Sequence, residues 1–384
     1  MRRAKFIAVF FYLILCFIQS LFGQVSEEQI APGVLYREYH RAEGPWVIQT
    51  VIIKRGLSDF ELGAALGGQY IIGIEPLDKI AERYTRAGRF PLAGINGDFF
   101  ILQRDPFQGD PVGLCFIDGE LVSSPGTRAV FVILDDGTPD IERFTMTAAV
   151  TRSGGAGSEV VGINQKCPEN GIVLLTPTFF SETRPQLGSM QIVIEPIDTL
   201  IYFNTQCRYI VQKLLNQDSL LTFHSRQCAL IGLGSGAEFI KNVIIGDTLW
   251  YSLALEPNNR RIRQAIGGGP RLLRNGQISI EASAEGIAES FVTARHPRTA
   301  VGFNSEYIFL VTVDGRQPGY SMGMSLTELA QFIKELGADE AINLDGGGST
   351  TMWVHGSIRN KPSDGFPRSI ANALILYSKS PIRE

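Results

Sequence analysis

Three features of this 384-residue sequence predict a strand-rich α+β fold. Short apolar runs rich in Val, Ile and Phe recur along the chain, 41 glycines punctuate them, and only Ser325–Leu336 sets apolar residues at clear helical spacing before stopping at Gly337. Few helices and a mixed sheet follow from that pattern.

In chain order, Trp46–Lys54 and Phe60–Ala65 read as strands, Leu77–Ala87 as a short helix ended by Gly88, and Leu92–Asn96 as a strand. Leu114–Ile117 and Leu121–Ser123 make a hairpin through Asp118-Gly119-Glu120, and Ala129–Leu134 precedes the Asp135-Asp136-Gly137 turn. The stretch from Gly154 to Gly171 is glycine-rich and polar, and short strands without a long helix continue to Trp250, so residues 154–250 read as an insertion or a small β subdomain. Strands return at Arg298–Phe303, Tyr307–Val313, Ala341–Leu344 and Ala371–Tyr377. The prediction is one strand-dominated domain over residues 24–384 with a middle β elaboration.

Residues 1–23 read as a targeting segment. Arg2, Arg3 and Lys5 precede an apolar run from Phe6 to Phe22 broken only by Gln19, the layout of a secretory signal or an uncleaved N-terminal anchor. A secreted or periplasmic protein is expected, with membrane contact only if the segment stays attached. The remaining cysteines, Cys115, Cys167, Cys207 and Cys228, fit no zinc spacing; they can pair in three ways or stay free and buried. A formal net charge of −4 with 19% charged residues indicates neither a nucleic-acid-binding surface nor a disordered tail.

Chemistry concentrates in Asn343-Leu344-Asp345-Gly346-Gly347-Gly348-Ser349-Thr350-Thr351-Met352-Trp353. Asp345 is set at a strand end, the glycines let backbone N–H groups approach an anion, and Ser349 and Thr350 add donors. That suits a phosphate or a sugar. The Lys of a nucleotide phosphate loop is missing and a strand replaces the helix that should follow, which argues against nucleotide hydrolysis.

Residues 343–352 resemble the signature of the phosphodiester glycosidase family. Further blocks resemble it in the same order: Asn96-Gly97-Asp98-Phe99-Phe100, Gly267-Gly268-Gly269-Pro270, Arg298-Thr299-Ala300-Val301-Gly302, Asp314-Gly315-Arg316, Pro362-Ser363-Asp364, and Arg368 with Asn372-Ala373-Leu374. The resemblance implies an exported hydrolase that cleaves the bond between a sugar C1 and the phosphate oxygen of a glycosyl phosphodiester. Asp345, Asp98 and Asp314 are then the catalytic candidates, although the family pattern accepts Asn where Asp98 stands. Asn96, Arg298, Gly346, Gly347, Gly348, Ser349, Thr350 and Arg368 are the substrate-binding candidates; His296, read from its place beside Arg298, is either a proton carrier or a hydrogen-bonded loop residue before Pro297. All should converge on one cleft.

A phosphomonoester leaves more readily than a sugar alkoxide, so charge stabilisation by Arg matters more here than the strong acid of ordinary glycoside hydrolysis. No metal is required in this reading; Asp98, Asp314, Asp345 and Asp364 offer oxygen ligands for calcium or magnesium but form no loop of recognised spacing. The competing reading is a non-catalytic binder of carbohydrate or cell-wall polymer, which calls for an exposed aromatic platform such as Trp353 or Tyr320 beside the loop.

Overall fold

The computed structural model describes residues 24–381, apart from 105–106, 180–181, 184–185, 198–204, 216–220, 223 and 258–260. The targeting segment lies outside the described residues.

Strands dominate, as the glycine-punctuated apolar runs require. One eight-stranded antiparallel sheet runs in the spatial order Gln24–Ala31, Val34–Arg41, Trp46–Lys54, Tyr307–Val313, Arg298–Phe303, Glu340–Asn343, Arg271–Arg274, Gln277–Ile278. One face packs on two five-stranded sheets, one centred on Phe90–Asn96 and Asn372–Ser378, the other on Ala129–Leu134 and Ile262–Gly267. Val51, Leu92, Ile95, Phe131, Val301, Leu310, Ile342 and Leu374 fill the space between. Each such side chain contributes about 1.5–3 kcal/mol on leaving water.

The helix Leu326–Glu335 covers the other face. Ser325 and Glu328 form a reciprocal capping box at its start, Gly337 takes a left-handed φ of 91° beyond its end, and Leu326, Leu329, Ala330, Phe332 and Ile333 turn inward. They meet Ile48, Ile52, Ala300, Phe309 and Val311 of the sheet. This clamps the strand that begins at Arg298.

Residues 145–256 supply a second eight-stranded sheet, which buries Val150, Ile192, Leu230 and Leu249 against Phe116, Val130 and Val132. Cys115, Cys167, Cys207 and Cys228 are all free thiols buried in the packed interior.

Two local expectations differ from the structure. The first helix stops at Tyr84, short of Ala87, because Thr85 turns to an extended ψ of 118° and Arg86 pairs with Arg89 around the turn at Gly88. The hairpin Gln24–Ala31 with Val34–Arg41 was not expected; its outer strand is mostly solvated and carries no apolar alternation to read.

Candidate functional site

The Asp345 loop is the crossing point between sheets. Glu340–Asn343 belongs to the large sheet and Met352–Val354 to the sheet of Phe90–Asn96, so residues 344–351 must span the gap. Asn96 fastens both ends. Its Nδ2 donates to the Asp345 carbonyl at 2.7 Å, while its Oδ1 accepts from Thr299 Oγ1 at 2.7 Å and from the Thr351 N–H at 3.1 Å. Asp345 N–H also donates to the Gly97 carbonyl. Asn96 is therefore a buried clamp, its carbonyl and one amide N–H taken up by protein, and it stands away from the cleft in which it was expected to bind a substrate hydroxyl.

Phe291, His296, Arg298, Arg316, Asp345, the three glycines and Arg368 line a cleft of about 280 Å³. Glycine is required here for space and backbone angle. Gly347 has a φ of 62°, and a Cβ on Gly348 would stand 2.1 Å from Arg368 Nη2. Two of the loop amides that the sequence offers to an anion are engaged within the protein: Gly346 N–H donates to Asp345 Oδ1 at 2.9 Å and Gly347 N–H to the Pro297 carbonyl. Ser349 and Thr350 are buried beneath the loop rather than facing the cleft. Their hydroxyls find no well-formed partner among the described residues.

Asp345 opens partly to the cleft but is set among protein atoms on every other side. Desolvation pushes its carboxyl up to about 6, against the lowering pull of the Ser349 hydroxyl, the Gly346 N–H and the charges of Arg368 and Arg128. Asp98 lies deeper, with Oδ1 accepting from Phe99 N–H and Oδ2 from Gly113 N–H, both at 2.7 Å. Burial raises it to about 7, and the nearby Asp345 charge adds to the rise. It is not among the residues lining the cleft.

Arg298 has only 1% of its surface exposed, yet no carboxylate pairs with it among the described residues. Nε donates to the Met324 carbonyl at 2.9 Å, and Nη2 to those of Phe291 and Ala294 at 2.8 and 2.7 Å. Nη1 is left without a protein acceptor among these bonds. Burial, then the neighbouring Arg316, lowers its pKa to about 10. A buried cation without a counter-ion is costly, and a bound anion would relieve that cost.

Arg316, exposed and with a φ of 60°, reaches His296 Nδ1 from Nη2 at 3.3 Å. Because Arg only donates, Nδ1 accepts, and neutral His296 carries its proton on Nε2. Burial and the two arginines hold its pKa below the usual value. Arg368 lines the cleft but is bridged to Asp364, at 2.7 Å from Nη2 and 2.9 Å from Nε.

Asp314 departs from expectation. Both of its oxygens are spent within the protein, accepting from Gln49 Nε2, Tyr320 Oη, Asn360 Nδ2 and the Lys361 N–H at 3.0–3.2 Å. It lies outside the cleft, as a hub joining the strand of Gln49 to the loops of Tyr320 and of Asn360 and Lys361. Tyr320 stands outside the cleft with Lys361 Nζ 4.8 Å from its ring centroid, and Trp353 is buried in the core, so neither forms an aromatic platform at the cleft. Sequence reading passed over Arg316 as a cation and Phe291 altogether; the His296-Pro297-Arg298 cluster was the available signal for the first. No group of three or more His, Cys, Asp or Glu able to hold a metal occurs among the described residues. A larger cavity of about 700 Å³ opens at the far end of the strands, around Lys54, Phe60, Asp135 and Lys379, and holds none of the expected site residues.

Residues 229–377 match the family described as Phosphodiester glycosidase, so the resemblance drawn from the motifs holds over that stretch. The chain is 36% identical over 120 residues to N-acetylglucosamine-1-phosphodiester alpha-N-acetylglucosaminidase of Mus musculus, covering 29% of this chain and 23% of that protein. It thus spans about a quarter of the curated relatives' length. Among solved structures, a hypothetical protein from Synechocystis aligns with a TM-score of 0.75 and 22% identity, over 92% of this chain and 64% of the other. A Burkholderia pseudomallei protein aligns with a TM-score of 0.70 and 22% identity, over 88% and 74%. These two share the fold.

Proposed function

We propose that this protein is an exported hydrolase that cleaves the sugar C1–O–phosphate bond of a glycosyl phosphodiester, releasing free sugar and a phosphomonoester. The observation that carries this reading is Arg298: a buried, unpaired guanidinium, with Arg316 beside it, opens on the same cleft as a carboxylate. Cations with no carboxylate partner among the described residues suit a phosphate anion, and the carboxylate suits the sugar carbon.

In this reading Arg298 Nη1 and Arg316 hold the phosphate oxygens. A water attacks C1 and gives its proton to Asp345, while the C1–O bond breaks and its electron pair leaves with the phosphomonoester. The two guanidinium groups neutralise the charge that grows on the leaving oxygen, the largest contribution expected in a site of this kind. Neutral His296 offers an Nε2–H to the same oxygens. Asp98 and Asp314 support this geometry from outside the cleft. Export rests on the basic and apolar residues 2–22, and among the described residues no helix is long and apolar enough to cross a membrane.

The test is turnover of a chromogenic sugar phosphodiester by purified protein, followed by release of phosphomonoester. Binding of the diester without any hydrolysis would replace this reading with that of a carbohydrate-binding protein.

A further inference from the structure

One cation near the cleft has no part in the reaction just described. Arg128, at the entry to strand Ala129–Leu134, stacks its guanidinium 4.7 Å from the ring centroid of Phe99. Phe99 meets Phe291 edge to face at 6.1 Å, and Phe291 carries the Arg298 guanidinium at 4.6 Å. Two arginines thus bracket a pair of aromatic rings. Among the described residues Arg128 makes no hydrogen bond and no ion pair to protein, although its charge reaches both Asp98 and Asp345. Stacking on one ring, worth about 0.5–1 kcal/mol at a partly exposed site, orients the guanidinium and leaves its N–H donors free for a ligand. The protein as a whole carries a formal net charge of −4, so unpaired arginines gathered along one row are a local reversal of its field.

We propose that the substrate continues past the cleaved phosphodiester into a second anionic group, which Arg128 binds. Arg298 and Arg316 take the phosphate at the reacting carbon, the edge formed by Phe291 and Phe99 supports the part of the chain between, and Arg128 takes the next phosphate or carboxylate. This rests on the phosphodiester hydrolase reading and narrows its substrate class to an anionic chain, such as a run of sugar phosphates, in place of an isolated diester. The planar fork of Arg suits either oxyanion in a bidentate contact.

Three synthetic probes test it: one sugar 1-phosphodiester with a neutral alkyl end, the same molecule ending in phosphate, and the same molecule ending in carboxylate. Calorimetric affinity and kcat/KM are measured for the wild type, Arg128→Gln and Arg128→Lys, after melting curves establish equal folding. The wild type should favour an anion-ended probe by about ten- to a hundredfold, the scale of one charge-assisted contact. That preference should fall to near unity in Arg128→Gln and be partly kept in Arg128→Lys. Equal wild-type affinity for neutral and anionic ends would overturn the inference. So would an equal loss on all probes in Arg128→Gln with a moved pH profile, which would make Arg128 an electrostatic partner of Asp98 and Asp345. No turnover of any probe, with the calorimetric preference intact, would reject hydrolysis and leave the second-anion site standing.

Discussion

Arg298, at the start of strand Arg298–Phe303, and Asp345, two residues beyond the end of the adjacent antiparallel strand Glu340–Asn343, line the same cleft. Ala300 pairs with Asn343 and Leu344 N–H donates to the Thr299 carbonyl, so the register carried one step further sets the guanidinium residue opposite the carboxylate residue. The end of the strand ladder, together with the bond from Asp345 N–H to the Gly97 carbonyl, therefore places the phosphate-binding group beside the group that takes the proton of the attacking water.

Replacing Asp345 by Asn keeps its size and the contact with the Gly346 N–H but removes the negative charge. Turnover of a sugar phosphodiester should fall about a hundredfold or more, the usual scale for losing a general base, with folding retained. Steady-state kinetics beside a circular dichroism spectrum checks this. Turnover equal to wild type would reassign Asp345 to shaping the loop.

Arg298→Lys should be impaired and Arg298→Ala more so, because an ammonium cannot reproduce the planar contact and cannot satisfy the Met324, Phe291 and Ala294 carbonyls together. On a phosphodiester the loss should be at least about ten- to a hundredfold in kcat/KM. An uncharged aryl glycoside of the same sugar should lose much less. Matching losses on both substrates would show that Arg298 only maintains the pocket.

The pH dependences of activity and stability should run in opposite directions. Asp345 must be ionised to accept a proton, and its carboxyl is raised to about 6, so kcat/KM should climb with pH through that value. Asp345 and Asp98, at about 6 and 7, are raised above their unfolded values near 3.8. Between those values the folded chain binds more protons than the unfolded one, so their stabilising contribution is complete below about pH 4 and is lost as pH rises through 6 to 7. Melting temperatures across this range should show the decline, and Asp345→Asn should flatten part of it. A wild-type melting curve that rises from pH 5 to 7, with no flattening in the variant, would contradict the buried-carboxylate account.

Gly348→Ala tests the close approach within the loop. Its Cβ would stand 2.1 Å from Arg368 Nη2 and 2.2 Å from Asp364 Oδ2, which forces that ion pair or the loop to move. A stability loss of about 1–3 kcal/mol is expected from such overpacking, together with weaker phosphodiester binding. Chemical denaturation reads the first and KM the second.

Asn96→Ala removes three hydrogen bonds from a buried position and leaves Thr299 Oγ1 and the Thr351 N–H without their acceptor. Each orphaned group costs about 1–3 kcal/mol, so this variant should be the least stable of the set. Hydrogen exchange should increase first at residues 344–351. Unchanged protection there would mean that the loop is held by its other contacts.

Most of the fold was legible in the sequence because local patterns encode it. Trp46–Lys54, Ala129–Leu134, Arg298–Phe303 and Tyr307–Val313 form strands over the residues that their apolar runs indicated, and the Ser325 cap and the Gly337 stop delimit the helix. The Asp345 loop was equally visible, since acid, glycines and hydroxyls interrupt an apolar stretch. What each polar residue does there was not visible. Asn96, Asp98, Asp314, Ser349 and Thr350 have the same side-chain chemistry whether they meet a substrate or a backbone amide, and only the packing of two sheets across residues 344–351 turned them toward the protein. The same packing brought Phe291 and Arg316 to Arg298, and Arg128 to Phe99 beside them, from separate segments. Sequence alone determined strands, turns and the chemistry available, because these depend on neighbours along the chain; tertiary structure decided which charges remain unpaired, because pairing depends on neighbours in space.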